Sequence, residues 1–328
     1  MKKISRKALL QNPEWIYSRF AEEDSGEPIT VTENKSLEEK DFAEDLRSID
    51  PWETVTYIPE RGEVVIGNSS KAETRNALPI TMNTCSGRPN RGVDYAESQK
   101  PDGSIVSPKM IIGNDDRYQV TNVNAYPNRA TAYLEITYAN GVIRGGSGAF
   151  VGETTILTAA HLIYDPNFKW ASSIKVYPGG KNSNYGFSYG KLFRANGGWL
   201  NNPSGSFYDY GIVEIENSMQ TGWFGYRPLS NQELKNAQVD HYGYPTDKII
   251  GTLWKTRSSI VGAYPQYLLT RIDCKGGQSG GPIVKTNEGD IIIAIHSAEY
   301  TSNSSIATRL TDEVGVYITE NKNKHLTP

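Results

Sequence analysis

Apolar and polar residues alternate with a period of two over much of the chain beyond residue 110, a pattern that predicts β-strands. Thr131–Tyr138 and Val142–Val151 form two such runs, and Asn140-Gly141 between them is a typical hairpin turn. Turn segments rich in Gly and Asn separate the other runs, which favours β-barrels or sandwiches over βαβ units. Further strands are predicted at Ser173–Tyr177, Tyr210–Ile215, Val239–Tyr244, Tyr267–Cys274 and Ile291–Ser297.

A helical pattern is predicted near the C-terminus. Thr311 can cap a short helix from Asp312 to about Asn321, since a threonine hydroxyl can accept a bond from a first-turn amide. Val314, Tyr317 and Ile318 would then share one apolar face. The predicted fold class is therefore all-β with one short C-terminal helix.

The first third of the sequence is different in character. Between Glu22 and Glu60 there are 13 acidic and 3 basic residues, and little apolar periodicity, so this segment is poorly suited to folding alone. The polar runs Ser86–Gly92 and Lys100–Gly103 are typical of a linker. We place the boundary near Lys109, with an acidic, largely non-globular segment and linker at 1–109 and a β domain at 110–328.

Composition narrows the classes of partner. A net charge of −3 argues against a protein that binds nucleic acid or an anionic membrane, because both need a concentrated basic surface. The chain has no apolar stretch of about 20 residues that could span a membrane. Its basic start, Met1–Lys7, precedes too short an apolar run for a clear signal peptide. We expect a monomer without metal or cofactor.

The two cysteines, Cys85 and Cys274, are too few for a disulfide framework. They could form one bridge in the intact chain. Because Cys85 lies in the segment of low order, two unpaired thiols are the favoured interpretation.

Three short motifs contain a candidate catalytic set. Ser279 lies in Gly277-Gln278-Ser279-Gly280-Gly281-Pro282, where small neighbours leave its hydroxyl accessible. A serine hydroxyl needs a base, and His161 in Thr158-Ala159-Ala160-His161 is the candidate for general base and then general acid. Asp209, ahead of an apolar run, would orient His161. This set, in the order His, Asp, Ser, indicates acyl transfer; the alternatives are a core histidine, a turn aspartate and a Gly-rich turn.

The glycines around Ser279 suggest a further function for the same turn. With little crowding from side chains, the amides of Gly277 and Ser279 can converge on one oxygen as an oxyanion hole.

These motifs resemble those of chymotrypsin-fold serine proteases, and more narrowly those of the bacterial glutamyl endopeptidases. The resemblance covers about residues 110–328. It implies two six-stranded β-barrels with a cleft between them, His161 and Asp209 on the first barrel and Ser279 on the second. It also implies an extracellular serine endopeptidase acting on proteins or peptides. Besides the catalytic motifs, it rests on Ile112–Arg117, Val120–Asn122, Ala125–Pro127, Gly243–Pro245 and Asp247-Lys248.

The same resemblance implies a precursor. A pro-segment would be removed near Lys109, by an activating protease or by self-processing, and the mature chain would start at Met110. In trypsin-like relatives the new amino terminus pairs with an Asp just before the nucleophile, whereas this chain has Gln278 there. Glutamyl relatives also lack that Asp, and in them the terminus sits near the substrate pocket.

The resemblance further assigns a substrate pocket to His296, Cys274 and Ser297. His296 would bind a Glu, or an Asp, on the amino side of the cleaved bond (P1), since a histidine can donate to a carboxylate. Cys274 stands where the family usually has a Thr, and Asp273 stands where trypsin-like enzymes select Lys or Arg. The alternatives are therefore a trypsin-like or broadly specific protease, or a catalytically silent binding protein. His241 is expected to be structural or exposed.

Overall fold

The computed structural model describes residues 49–66, 98–99, 105–106, 111–203, 206–286, 290–301 and 303–323. Lys109, Met110 and Cys85 lie outside these ranges, so the expectations about cleavage and about a Cys85–Cys274 bridge stay predictions. Cys274 itself is buried.

The strands of the N-terminal region are short, and two of them form a hairpin. They are β1 (Thr54–Ile58), β2 (Glu63–Ile66), β3 (Ser98–Gln99), β4 (Ile105–Val106) and β5 (Tyr118–Gln119). Strand β1 pairs antiparallel with β2, and β3 pairs with β4. Residues 49–66 of the acidic segment are thus folded, and they pack on the barrel that follows.

Six antiparallel strands close the first barrel in the order β6-β7-β8-β12-β11-β10. The pairing of β10 with β11 closes it, and β9 and the β1–β2 hairpin extend its sheet. Its strands are β6 (Thr131–Tyr138), β7 (Ile143–Phe150), β8 (Thr155–Thr158), β9 (Tyr164–Asp165), β10 (Lys169–Pro178), β11 (Ser188–Asn196) and β12 (Gly211–Ile215).

The second barrel has six antiparallel strands in the order β14-β15-β16-β19-β18-β17, closed by the pairing of β17 with β14. Short strands β13 and β5 join β18 and β15 at its margin. Its strands are β13 (Gly225–Tyr226), β14 (Gln238–Gly243), β15 (Trp254–Ala263), β16 (Tyr267–Thr270), β17 (Pro282–Lys285), β18 (Ile291–Thr301) and β19 (Ser304–Arg309).

The predicted all-β class and the two barrels are confirmed, and so is the C-terminal helix. The α-helices within the described residues are α1 (Ala160–Ile163), α2 (Gly197–Asn201), α3 (Asn231–Leu234) and α4 (Asp312–Asn321). The Thr311 hydroxyl accepts a bond from the Val314 amide at 3.4 Å, and the apolar face of α4 is buried. None of the helices in the described ranges has the length and apolar character needed to cross a lipid bilayer.

Strand limits differ from the prediction near the candidate site. The strand expected to end at Cys274 ends at Thr270, and in the loop that follows Asp273 accepts from the Ile112 amide and the Gly276 carbonyl accepts from the Thr246 amide. Strand β18, in contrast, is longer than predicted: it was expected to end at Ser297 but continues to Thr301, paired with β19.

Candidate active site

Ser279 lies in the tight turn between β16 and β17, at the boundary of the two barrels. Gly277 and Gly280 both have positive φ angles, +87° and +80°, which L-residues with side chains rarely adopt. The neighbouring amides of Gly280 and Gly281 donate to the carbonyls of His296 and Gln278 at 2.8 and 3.0 Å. The assignment of the Gly277 and Ser279 amides to an oxyanion hole stays a prediction.

A serine of the first barrel holds this turn in place. The Ser147 hydroxyl donates to the Gly277 carbonyl at 2.7 Å and accepts from the Tyr244 amide at 3.0 Å. The Ser147 amide donates to the Ser279 carbonyl at 2.9 Å. Ser147 is fully buried, and sequence analysis missed it because Gly-Gly-Ser-Gly on a strand gives no signal of a partner 130 residues away.

The close approach of the barrels at Gly280 leads to a stability prediction. A methyl group there would collide with the Ser147 carbonyl oxygen and the Thr158 hydroxyl, in a backbone conformation that already disfavours a side chain. We expect Gly280→Ala to lower the free energy of unfolding by about 3 kcal/mol, combining backbone strain and overpacking. Urea denaturation measures this change.

Gly186→Ala is the matched control. Gly186 has a φ of +67°, and no atom lies within 4 Å of the place that a methyl group would occupy, so only the backbone cost of about 1 kcal/mol applies. Equal losses in the two variants would contradict the packing argument.

His161 and Asp209 form a buried pair beside the turn. His161 lies in α1 directly after β8, and Asp209 directly precedes Tyr210 and β12. Asp209 Oδ2 is 2.8 Å from His161 Nδ1, and Asp209 Oδ1 accepts from the His161 amide at 2.9 Å. Although burial alone would raise it, the pKa of Asp209 is lowered by His161 and by its hydrogen bonds. The carboxylate therefore stays ionised and fixes the ring.

Ser297 bonds to two of the three candidate catalytic residues, Asp209 and Ser279. Its hydroxyl donates a hydrogen bond to Asp209 Oδ2, and its carbonyl oxygen accepts from the Ser279 hydroxyl at 3.2 Å. His161 thus bonds directly to Asp209, and Ser297 links this pair to Ser279 across the interface between the barrels. The hydroxyl of Ser297 faces Asp209, and the predicted contact of this residue with substrate stays a prediction.

Asn196 fixes the backbone on both sides of Asp209, a role that sequence analysis did not assign. Its side-chain amide donates to the carbonyls of Tyr208 and Tyr210 at 2.8 and 3.1 Å. Its side-chain oxygen accepts from the Trp199 amide and so caps α2. The Trp199 ring lies 6.3 Å from that of His161.

The predicted pocket histidine, His296, is buried on β18 one residue before Ser297. Burial and the nearby His161 lower the pKa of His296 to about 4, so its ring is neutral near pH 7. Its Nδ1 has no hydrogen-bond partner among the described residues. The ring of His241 packs 5.1 Å from that of His296 and is itself fully buried, which makes His241 structural.

Asp273 is buried and its carboxylate is used within the protein. Its Oδ1 accepts from the Ile112 amide at 2.7 Å, and its Oδ2 accepts from the Asp116 amide at 3.1 Å. Burial and the Asp273 carboxylate raise the pKa of Asp116 to about 6. The segment that follows the predicted cleavage point therefore lies directly against the loop that leads from β16 to Ser279.

Gln278 bonds to an internal cation. Its Oε1 accepts from Arg117 Nη1 at 3.2 Å and from the Lys275 amide at 2.9 Å. Arg117 also pairs with Asp115 and Asp247, so its charge is neutralised in place. The stretch Ile112–Arg117, which resembles the glutamyl enzymes, thus forms a contact network with Asp273 and Gln278 beside Ser279.

Comparisons with known proteins agree with the two-barrel fold. The sequence profile of the trypsin-like peptidase domain matches residues 146–295. A solved Glu endopeptidase structure is 24% identical, covers 65% of this chain and 100% of its own, and has a TM-score of 0.59, which indicates a shared fold.

Two relatives from Bacillus species are more similar in sequence. The extracellular metalloprotease of Bacillus subtilis is 33% identical over 64% of this chain and 68% of its own. The glutamyl endopeptidase of Bacillus licheniformis is 32% identical over 82% of this chain and 84% of its own. The name of the first refers to a metal, whereas the described part of this chain has no group of three His, Cys, Asp or Glu placed to hold one. The chain belongs to the glutamyl endopeptidase family of trypsin-like serine endopeptidases.

Proposed function

We propose that this serine endopeptidase cleaves peptide bonds after glutamate, with His161, Asp209 and Ser279 as its catalytic triad. The proposed specificity rests on His296, which lies next to the triad. Its imidazole is buried and neutral, and its Nδ1 has no hydrogen-bond partner among the described residues. Glutamate is proposed because a carboxylate fits such a donor.

In the proposed mechanism the Ser279 hydroxyl, which donates to the Ser297 carbonyl in the free protein, turns towards His161 Nε2. Asp209 holds the tautomer in which His161 Nδ1 carries a proton, and this leaves Nε2 to accept the proton of the Ser279 hydroxyl. The serine oxygen attacks the substrate carbonyl, and His161 returns the proton to the leaving amine. Amides of Gly277 and Ser279 would stabilise the oxyanion, and water would then hydrolyse the acyl-enzyme.

The state of His296 affects how glutamate would be recognised. With a pKa of about 4, the ring carries no charge in the free protein at neutral pH and binds a carboxylate as a hydrogen-bond donor. A bound glutamate would favour protonation of the ring, because an opposite charge within a few ångströms stabilises the charged form.

A basic P1 residue is the weaker alternative. Selection of Lys or Arg would require a carboxylate directed into the pocket, yet both oxygens of Asp273 accept backbone N–H groups from 112 and 116. A catalytically silent binding protein is also disfavoured, because His161 and Asp209 are in bonding contact and Ser279 lies in a turn tightly held by Ser147.

We also propose synthesis as a precursor and an extracellular location. Ile112 already contacts Asp273, and the predicted new terminus at Met110 is only two residues away, about 7 Å of extended chain. A terminus there would lie near the base of the substrate pocket. The location is supported by the word extracellular in the name of the B. subtilis relative.

Peptides that differ only in Glu, Gln or Lys at P1 test the proposed specificity. On the processed protein we expect kcat/KM for the Glu peptide to exceed that for the Gln peptide by roughly 10–100-fold, since a hydrogen bond to a charged group contributes about 1.5–3 kcal/mol. His296→Ala should remove most of this ratio and leave cleavage of the Gln peptide largely unchanged.

His296→Gln is the matched control, because it keeps a donor but cannot titrate, and it should retain part of the preference. Equal rates for the three peptides would refute glutamate specificity, while the serine endopeptidase assignment would stand. An unchanged ratio in His296→Ala would show that another group binds the carboxylate.

A further inference from the structure

We propose that the C-terminal half of β11 is a strand-addition surface for the chain's own residues 49–66, and that this segment stays bound after the chain is cut near Lys109. The binding surface is inferred from the contacts of residues 49–66, whereas cleavage near Lys109 rests on the proposed function. Residues 49–66 would then stay with the β domain after the cut, whereas the sequence predicts that the whole segment 1–109 is removed.

The backbone pairing shows how the edge of β11 is divided. The start of β11 pairs with β10, where Tyr189 faces Lys175 and Ser188 faces Val176. Its end pairs with β1, in a register from Thr54 opposite Asn196 to Tyr57 opposite Phe193. Without β1 this stretch would be an open sheet edge, which favours pairing with another strand.

Apolar side chains of the segment are buried against the barrel. Ile49 and the fully buried Val55 join the main apolar core, and Ile58 and Val65 form a separate small cluster with Leu192 of β11. The ring of Tyr57 stacks on Trp170, with centroids 5.2 Å apart and planes within 16°. Burial of several large apolar groups is the main source of affinity in such an interface.

Residues 49–53 bind the helix that follows β11. The amides of Gly197 and Gly198 donate to the carbonyls of Glu53 and Pro51, both at 2.8 Å. The side chain of Asn201 donates to the Ile49 carbonyl at 2.6 Å. A methyl group at Gly197 would collide with the Asp50 carbonyl oxygen, so the close approach of the segment requires glycine here.

The bound segment also lies behind the loop that carries Asp209. Thr54 pairs with Asn196, whose side chain holds the carbonyls on either side of Asp209. The ring of Trp52 packs edge-on against Tyr208, with centroids 5.4 Å apart. Removal of the segment would therefore uncover the outer side of a catalytic loop.

All of these contacts come from residues well before Lys109, so a cut there breaks none of them. The relative from B. licheniformis aligns over 82% of this chain, which is longer than the predicted 110–328 domain. The alignment therefore extends into the N-terminal segment, consistent with a shared structural role.

The test uses the full chain with Ser279→Ala, which prevents self-cleavage, and with a site for a specific protease in place of residues 107–109. After cutting, size-exclusion chromatography at micromolar concentration should show the N-terminal fragment co-eluting with the protease domain in equal amounts. Val55→Asp should release the fragment, because it places a charge at a buried position. Arg61→Asp, at an exposed position of the same hairpin, should not.

Hydrogen exchange gives a second measurement on the protein without Val55→Asp, in case that variant folds poorly. The amides of residues 193–196 should keep in the cut protein the protection that they have in the uncut chain. Separate elution of the fragment from the unsubstituted protein, or loss of that protection on cutting, would overturn the proposal. Because the chain is inactive by design, neither result depends on the proposed specificity.

Discussion

Ser279→Ala is expected to lower kcat for peptide hydrolysis by about 10⁶, since removal of a triad nucleophile leaves only the contribution of binding and the oxyanion hole. His161→Ala should cost about as much. The double variant should be no slower than either single one, because the two residues act as one unit in proton transfer and attack. Steady-state kinetics with a Glu peptide, with KM measured alongside kcat, tests all three.

Ser305→Ala is the matched control for this prediction. Ser305 is a buried serine of the second barrel whose hydroxyl bonds to that of Thr270 at 2.7 Å. Its loss should leave kcat largely unchanged. A Ser279→Ala protein that keeps substantial activity, or additive effects of Ser279→Ala and His161→Ala, would contradict the assignment.

Asp209→Asn should give the second largest loss, about 10⁴ in kcat. Both carboxylate oxygens accept bonds from His161, one from the backbone amide and one from the ring. An asparagine amide group would present a donor to one of these N–H groups, or would force the ring into the tautomer that cannot accept the Ser279 proton. The loss should appear in kcat, with KM little changed.

The depressed pKa of Asp209 adds a stability readout to the same variant. Its stabilising contribution is present above the pKa of an unfolded aspartate, about 3.9, and is lost as the pH falls through the lower folded value. The stability of Asp209→Asn should therefore depend less on pH in this acid range.

Ser297→Ala separates the charge of Asp209 from its hydrogen bonding. It removes one donor to Oδ2 but keeps the carboxylate, so its loss in kcat should be smaller, roughly 10–100-fold. If Ser297→Ala lowers kcat as much as Asp209→Asn does, then orienting His161 through its carboxylate is not the main contribution of Asp209.

The parts of the fold that could be predicted are those determined by nearby residues. Strand β6 begins and ends where the alternating pattern does, and α4 begins at its predicted cap. Strand β11 was not predicted because Arg194 and Asn196 occupy buried positions, where a polar residue normally argues against a core strand. Their partners lie elsewhere in the chain: Arg194 forms an ion pair with Glu214 at 3.5 Å, and Asn196 donates to the carbonyls of Tyr208 and Tyr210.

The candidate site, too, has features that nearby residues determine and others that depend on distant partners. The order of His161, Asp209 and Ser279 and their small neighbours predict a triad; the structure bonds His161 to Asp209 and links Asp209 to Ser279 through Ser297. The supports of the triad could not be predicted, because each contact joins distant positions: Ser147 with Gly277, and Ser297 with Asp209. A sequence gives the residue types needed for the chemistry, whereas their positioning comes from the packing of two barrels.

The most direct test of the central claim is the location of a covalent fluorophosphonate label. The processed protein should carry a single adduct, and peptide mass spectrometry should place it on Ser279. The adduct should be absent from Ser279→Ala under the same conditions. No labelling of the processed protein, or an adduct on another residue, would contradict the account.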